Sequence, residues 1–212
     1  MRRWNQMLDA YTAERIDRCV NQLRVQFAVE PMRDFEVSSL LTRLARFQTA
    51  ISTDDTVLLD AFHVSEGDIE ITLAIFEHQV VHRRQTGRGM VTTEADSALH
   101  ELVVIDLPVS VGRVLIRPET LGDKVSDWFT KREIDFPEEK QFSRRYYVLA
   151  EDDDRARRGL PTKFLQAVGE TDRLVIEIDD TLLAALKLHP LAANDRSVLV
   201  PLAMTMRGAW TG

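Results

Sequence analysis

Apolar and polar positions follow two different periods along the chain, and the changes between them mark the predicted elements. From Trp4 to Val20, the apolar residues Trp4, Leu8, Tyr11, Ile16, Cys19 and Val20 recur at helical spacing among charged ones, which predicts an amphipathic helix. The period then shortens. Leu23, Val25, Phe27 and Val29 alternate with Arg24, Gln26, Ala28 and Glu30, the pattern of a half-buried strand, and Pro31 ends it. Ser38 or Ser39 caps a short helix bearing Leu40, Leu41, Leu44 and Phe47. After the acidic turn from Thr53 to Thr56, a strand is expected over Val57–Val64. Ser65-Glu66-Gly67-Asp68 follows as a hairpin signal between two apolar runs. The return strand runs from Ile69 to His82, with Ile69, Ile71, Leu73 and Ile75 on one face. Arg83–Ser97 has no apolar periodicity and is expected to form a long, mobile hairpin loop.

The second half repeats this grammar. Leu99–Leu107 is a β-branched strand closed by Pro108, Val114–Ile116 is a short strand, and Pro118 opens a helix through Leu121, Val125, Trp128 and Phe129. In the stretch that follows, Phe142, Arg144, Tyr146 and Val148 share one strand face, and Ser143, Arg145, Tyr147 and Leu149 share the other. Bulk on both faces predicts an internal strand. Glu151–Asp154 suits a helix start, where each negative side chain near the positive end of the helix dipole contributes roughly 0.3–1 kcal/mol. Arg155, Arg157 and Arg158 follow, with Gly159 as C-cap, Pro161 as the next helix start, and Phe164, Leu165 and Val168 as an apolar edge. Leu174, Ile176 and Ile178 form a strand that turns at Asp179-Asp180. Thr181–Leu188 is rich in helix formers, yet a hairpin partner is otherwise missing, so the strand is preferred. Asn194 caps a final helix from Asp195 to Met206, with Pro201 awkward near its second turn.

These elements indicate an α+β fold, a mainly antiparallel sheet with several short helices packed on it. A single domain over residues 1–212 is expected: a lead-in over 1–50, a sheet-rich core over 57–188 and a C-terminal helix over 194–207. A doubly wound nucleotide fold is disfavoured, because neither its glycine fingerprint nor a P-loop pattern is present.

Composition narrows the chemistry. The chain is 44% hydrophobic and 29% charged, as in soluble globular proteins. A formal net charge of −7 disfavours broad nucleic-acid binding. The single cysteine, Cys19, excludes an internal disulfide and any zinc site built from two or more cysteines, and it reads as a small buried side chain. No apolar run reaches the roughly 18 residues a spanning helix needs. Asn5, Gln6, Asp9 and Glu14 interrupt any signal-peptide core. A cytoplasmic setting is expected, with the cytoplasmic face of the membrane as the alternative.

Candidate sites are few. Glu151-Asp152-Asp153-Asp154 suggests a cation site, but it lacks the turn glycine and distal Glu of a calcium loop, and capping explains it better. Glu77, His78 and His82 do not form HExxH, and on a strand the two histidines lie about 13 Å apart. No metal or cofactor is expected. No GxSxG elbow is present, and Cys19 has no nearby histidine in sequence. The strongest binding candidates are His82, Arg83, Arg84 and Arg88, in a glycine-bearing loop where guanidinium forks and backbone N–H groups can hold a phosphate or anionic headgroup. A solvated hairpin tip is the bland reading of the same loop.

The motifs Ile134-Asp135-Phe136, Phe142 to Val148 (FSRRYYV), the acid-rich turn and the short amphipathic helix resemble an uncharacterised family of bacterial proteins, often held on a membrane-anchored chain. The similarity continues upstream through His100–Leu107, Pro108 and Arg117-Pro118-Glu119 and covers roughly residues 57–178. It implies no catalytic residues, and this chain lacks the apolar N-terminal segments of tethered members. A non-catalytic binding or scaffolding module, engaging a protein partner or an anionic surface, is therefore expected. The alternative is a hydrolase-like enzyme whose site assembles His63, His78 and an acid from distant parts of the chain.

Overall fold

The computed structural model describes residues 10–47, 56–85, 91–119, 133–191, 194 and 196–211. In chain order the elements are α1 (Ala10–Leu23), β1 (Ala28–Pro31), α2 (Asp34–Leu44), β2 (Thr56–Glu66), β3 (Ile69–Gln85), β4 (Val91–Asp106) and β5 (Arg113–Pro118). They continue as α3 (Lys140–Ser143), β6 (Tyr146–Ala150), α4 (Asp153–Gly159), α5 (Thr162–Gly169), β7 (Leu174–Asp179), β8 (Leu182–Lys187) and α6 (Leu199–Gly208). The period-2 segments pair into one eight-stranded sheet in the order β1-β2-β3-β4-β8-β7-β5-β6. All its pairings are antiparallel. The fold is α+β, as its alternation predicts.

Side-chain alternation divides the core between the two faces of the sheet. One face carries Leu73, Ile75, Val103, Ile105, Val114, Ile116, Ile176 and Ile178, packed against α1 and α3 to α6. The other carries Ala74, Phe76, Leu102, Val104 and Ala184 beneath Val37, Leu40 and Leu44 of α2. The two hairpin turns read from the sequence are present. Glu66 pairs with Ile69 across Gly67-Asp68, and Asp179 pairs with Leu182. Gly67 adopts φ +58, a left-handed conformation that only glycine takes without cost.

The register also orders the two ends of the sheet. Leu102 pairs with Leu186, Lys187 with Leu174, Ile176 with Ile116, and Pro118 with Tyr146. The far half of the β3–β4 hairpin, Lys187, Pro118 and Tyr146 therefore lie at one end. At the other end Asp106, Asp179, Asp180 and Glu151 meet Arg43, Arg46, Arg155 and Arg113, each acid facing an arginine.

Several expectations are corrected. Leu23 completes the helical stripe of Ile16, Cys19 and Val20, and Val25 lies 88% exposed in the turn that follows, so only Ala28–Pro31 is strand. The alternation from Leu23 to Val29 was partly coincidental. Ser38 and Ser39 lie inside α2, which begins at Asp34. The Arg33 N–H donates to the Glu36 carboxylate there, and the Ser38 hydroxyl donates back to the Asp34 carbonyl. Phe142 belongs to α3, and Arg144 to the turn after it. The strand that starts at Tyr146 lies at the edge of the sheet order rather than inside it. Its outer side meets only a short segment, in which Glu133 bridges Leu149 and the Ile134 N–H donates to the Val148 carbonyl at 2.9 Å.

Pro118 closes β5, and the helix expected through Leu121 to Phe129 lies outside the described residues. The acid-rich helix start holds: Asp152 caps α4 by accepting from the Arg155 N–H at 2.9 Å. Gly159 is the last residue of α4, where an added Cβ would come within 3.0 Å of the Val111 backbone. Thr181–Leu188 contributes the strand β8, not a helix. The final helix starts at Leu199 after Val198, and the hydroxyl of Ser197, one residue earlier, accepts from the Val200 N–H. Pro201 thus falls in its first turn, where a missing N–H costs nothing.

Candidate functional site

The segment predicted as a loop over Arg83–Ser97 is mostly strand. β2 accompanies β3 only as far as His78, opposite Thr56. Beyond it Gln79 to Gln85 pair with Ser97 to Val91, and with nothing else among the described residues. At about 3.4 Å per residue this is an arm on the order of 20 Å long, continuing past the last described residue of β2. Its polar sequence hid it, because backbone pairing needs no apolar period.

Three of the predicted binding residues lie on this ladder: His82 pairs with Glu94, Arg83 with Thr93 and Arg84 with Thr92. Arg88 lies outside the described residues.

A second place with chemistry lies between α2 and the sheet, in a cleft of about 320 Å³ lined by Phe35, Glu36, Arg43, His63, Glu70 and Asp106, among others. His63 Nδ1 lies 3.1 Å from Glu70 Oε1, and its Nε2 lies 3.7 Å from Glu36 Oε1. That Nε2 is buried and has no hydrogen-bond partner. Arg43 pairs with Asp106 at the cleft's end. Sequence reasoning named His63 with an acid but not which acids, although the hairpin carries the signal for Glu70. Counting back from Gly67 sets Ser65 opposite Glu70 and His63 opposite Thr72, which makes His63 and Glu70 diagonal neighbours on one face.

His78 does not join His63. It lies six residues past Thr72 along β3, roughly 20 Å away, and its ring meets His100 edge-on at 6.2 Å. Burial, with a smaller contribution from His78, lowers the His100 pKa against a backbone hydrogen bond at Lys187 that raises it. Beside it on β4, Glu101 points to the opposite face and lies buried beneath α1 and α6. There it accepts from the Cys19 thiol at 3.7 Å, the Ser197 hydroxyl and the Leu199 backbone. Burial raises its pKa despite these donors.

Among the described residues, no group of three or more His, Cys, Asp or Glu side chains is placed to hold a metal ion. Nor is any helix among them long and apolar enough to cross a membrane. Comparison of the chain with protein-family models, with curated proteins and with solved structures gave no match.

Proposed function

We propose that this protein is a non-catalytic binding module that presents the β3–β4 arm to an anionic surface at the cytoplasmic face of a membrane. The observation that supports it most is the arm itself. Paired strands continue past β2 and carry His82, Arg83 and Arg84 away from an acidic body. Each arginine near an anionic lipid surface contributes about 1 kcal/mol, and guanidinium forks match phosphate oxygens.

Cosedimentation with phosphatidylserine vesicles tests it. The protein is expected to pellet at about 50 mM salt and to be released by about 300 mM, as the Debye length contracts. Arg83→Glu, Arg84→Glu and Arg88→Glu together are expected to abolish pelleting with no change in melting temperature. Wild-type protein that stays in the supernatant at low salt would sink the membrane reading, and an acidic protein surface would then be the partner to seek.

The α2 cleft supports the alternative, a hydrolase-like enzyme, by placing His63 between two carboxylates. Among the described residues, however, neither of its ring nitrogens is hydrogen-bonded to a serine or cysteine. A His63→Ala variant that loses hydrolysis of a generic ester would favour that reading.

A further inference from the structure

At the arm end of the sheet, the close of β5, the turn from α3 into β6 and the turn into β7 surround an open cleft of about 290 Å³. Glu119, Arg144, Arg145, Tyr146, Asp172 and Arg173 line it. Arg173 adopts φ +60, a left-handed conformation that side chains other than Asn and Asp rarely take. The surrounding fold holds it there. The buried Tyr146 hydroxyl donates to the Thr171 carbonyl at 2.6 Å and accepts from the Leu174 N–H at 3.2 Å, clamping the turn on both sides of Arg173. The Leu188 N–H donates to the Arg173 carbonyl at 3.0 Å. Burial raises the pKa of the Tyr146 hydroxyl, which keeps it a proton donor.

A strained residue fixed by its neighbours points to a use for its side chain. Arg145 is spoken for, bonded to Asp172 at 3.0 Å and to the Gly169 carbonyl at 3.1 Å. The side chains of Arg144 and Arg173 have neither an ion pair nor a hydrogen bond among the described residues. With Asp172 offset by Arg145, the described lining of the cleft leaves the guanidiniums of Arg144 and Arg173 against one further carboxylate, Glu119. We propose that this cleft binds the phosphate group of a soluble phosphomonoester between Arg144 and Arg173. Each guanidinium offers a two-pronged donor to the phosphate oxygens, and the space beside them accommodates a small organic body.

Calorimetric titration of the full chain with inorganic phosphate and with glycerol 3-phosphate tests this, with chloride at matched ionic strength as the blank. Saturable binding of both is expected, weakened tenfold or more by Arg144→Ala and by Arg173→Gly. Glu119→Gln is expected to tighten it. Arg173→Gly is also expected to raise the melting temperature, because glycine adopts φ +60 without strain. A purely structural Arg173 predicts the opposite sign, so a fall in melting temperature in that variant would overturn the proposal. Absence of phosphate binding by the wild type, binding unchanged in Arg144→Ala, or binding only to phosphatidic acid vesicles would overturn it as well. Substitutions in the arm are expected to leave phosphate binding intact, so this site and the arm fail or stand separately.

Discussion

The two hairpins β7–β8 and β3–β4 use the same antiparallel ladder and turn it to opposite ends. The β7–β8 hairpin lies between β5 and β4 in the sheet, and Leu174, Ile176, Ile178, Leu183, Ala184 and Ala185 are essentially without solvent exposure. The β3–β4 hairpin begins in the same way, with Leu73, Ala74 and Ile75 buried beside β2. It then runs on past the described part of β2 as a ladder of polar sequence. Pairing alone shapes a strand, whereas stability comes from what covers its faces. The difference teaches that a ladder can continue after the hydrophobic period of its sequence stops.

The sharpest way to test that contrast is to remove bulk from the covered hairpin. Ile176→Ala is expected to cost about 2–5 kcal/mol in urea unfolding, because the side chain is fully buried between two neighbouring strands. A loss below about 1 kcal/mol would mean that the centre of the sheet is not the stabilising region. Next comes the turn that starts the long hairpin. Gly67→Ala is expected to cost about 1–2 kcal/mol through backbone strain alone, since no atom lies within 4 Å of the added methyl group.

A pH-dependent effect should mark where the covered part of β4 passes into the arm, at His100 and Glu101. Glu101 has a raised pKa, so its contribution is fully present below the ordinary carboxylate value of 4.5 and is lost as pH rises through the higher folded value. His100 has a lowered pKa. Its contribution is fully present above 6.5 and is lost as pH falls through the lower folded value. Melting curves across this range are expected to decline less on the alkaline side in Glu101→Gln and less on the acid side in His100→Gln. Curves parallel to wild type would remove burial as the cause. The smallest effect belongs to the arm, where Arg83→Glu with Arg84→Glu is expected to shift stability by no more than about 0.5 kcal/mol. A larger shift would show that the arm is packed on the body.

These contrasts also explain what was legible beforehand. Gly67 between two apolar runs, and the alternating Leu174, Ile176 and Ile178, announced their hairpins because burial and turn chemistry agree there. Phe142 misled because a buried aromatic at a strand-compatible spacing can also seal a single helical turn; its ring stacks on Tyr146 at 5.6 Å and meets Phe136 edge-on at 5.8 Å. The candidate residues His82, Arg83 and Arg84 stand out by charge, yet their place on a paired strand rests on a ladder that polar sequence does not advertise. Arg173 was invisible for a different reason. Its left-handed backbone is imposed by Tyr146, which lies 27 positions earlier in the chain.

Cys19 has one further consequence. It is the chain's sole cysteine, its side chain has no solvent exposure, and its thiol is held against Glu101. An alkylating reagent can therefore reach sulfur only in the moments when α1 lifts off the sheet. The native protein thus carries its own chemical clock. The rate at which it takes up a single label counts the openings of its first helix, without a mutation or a dye placed by design.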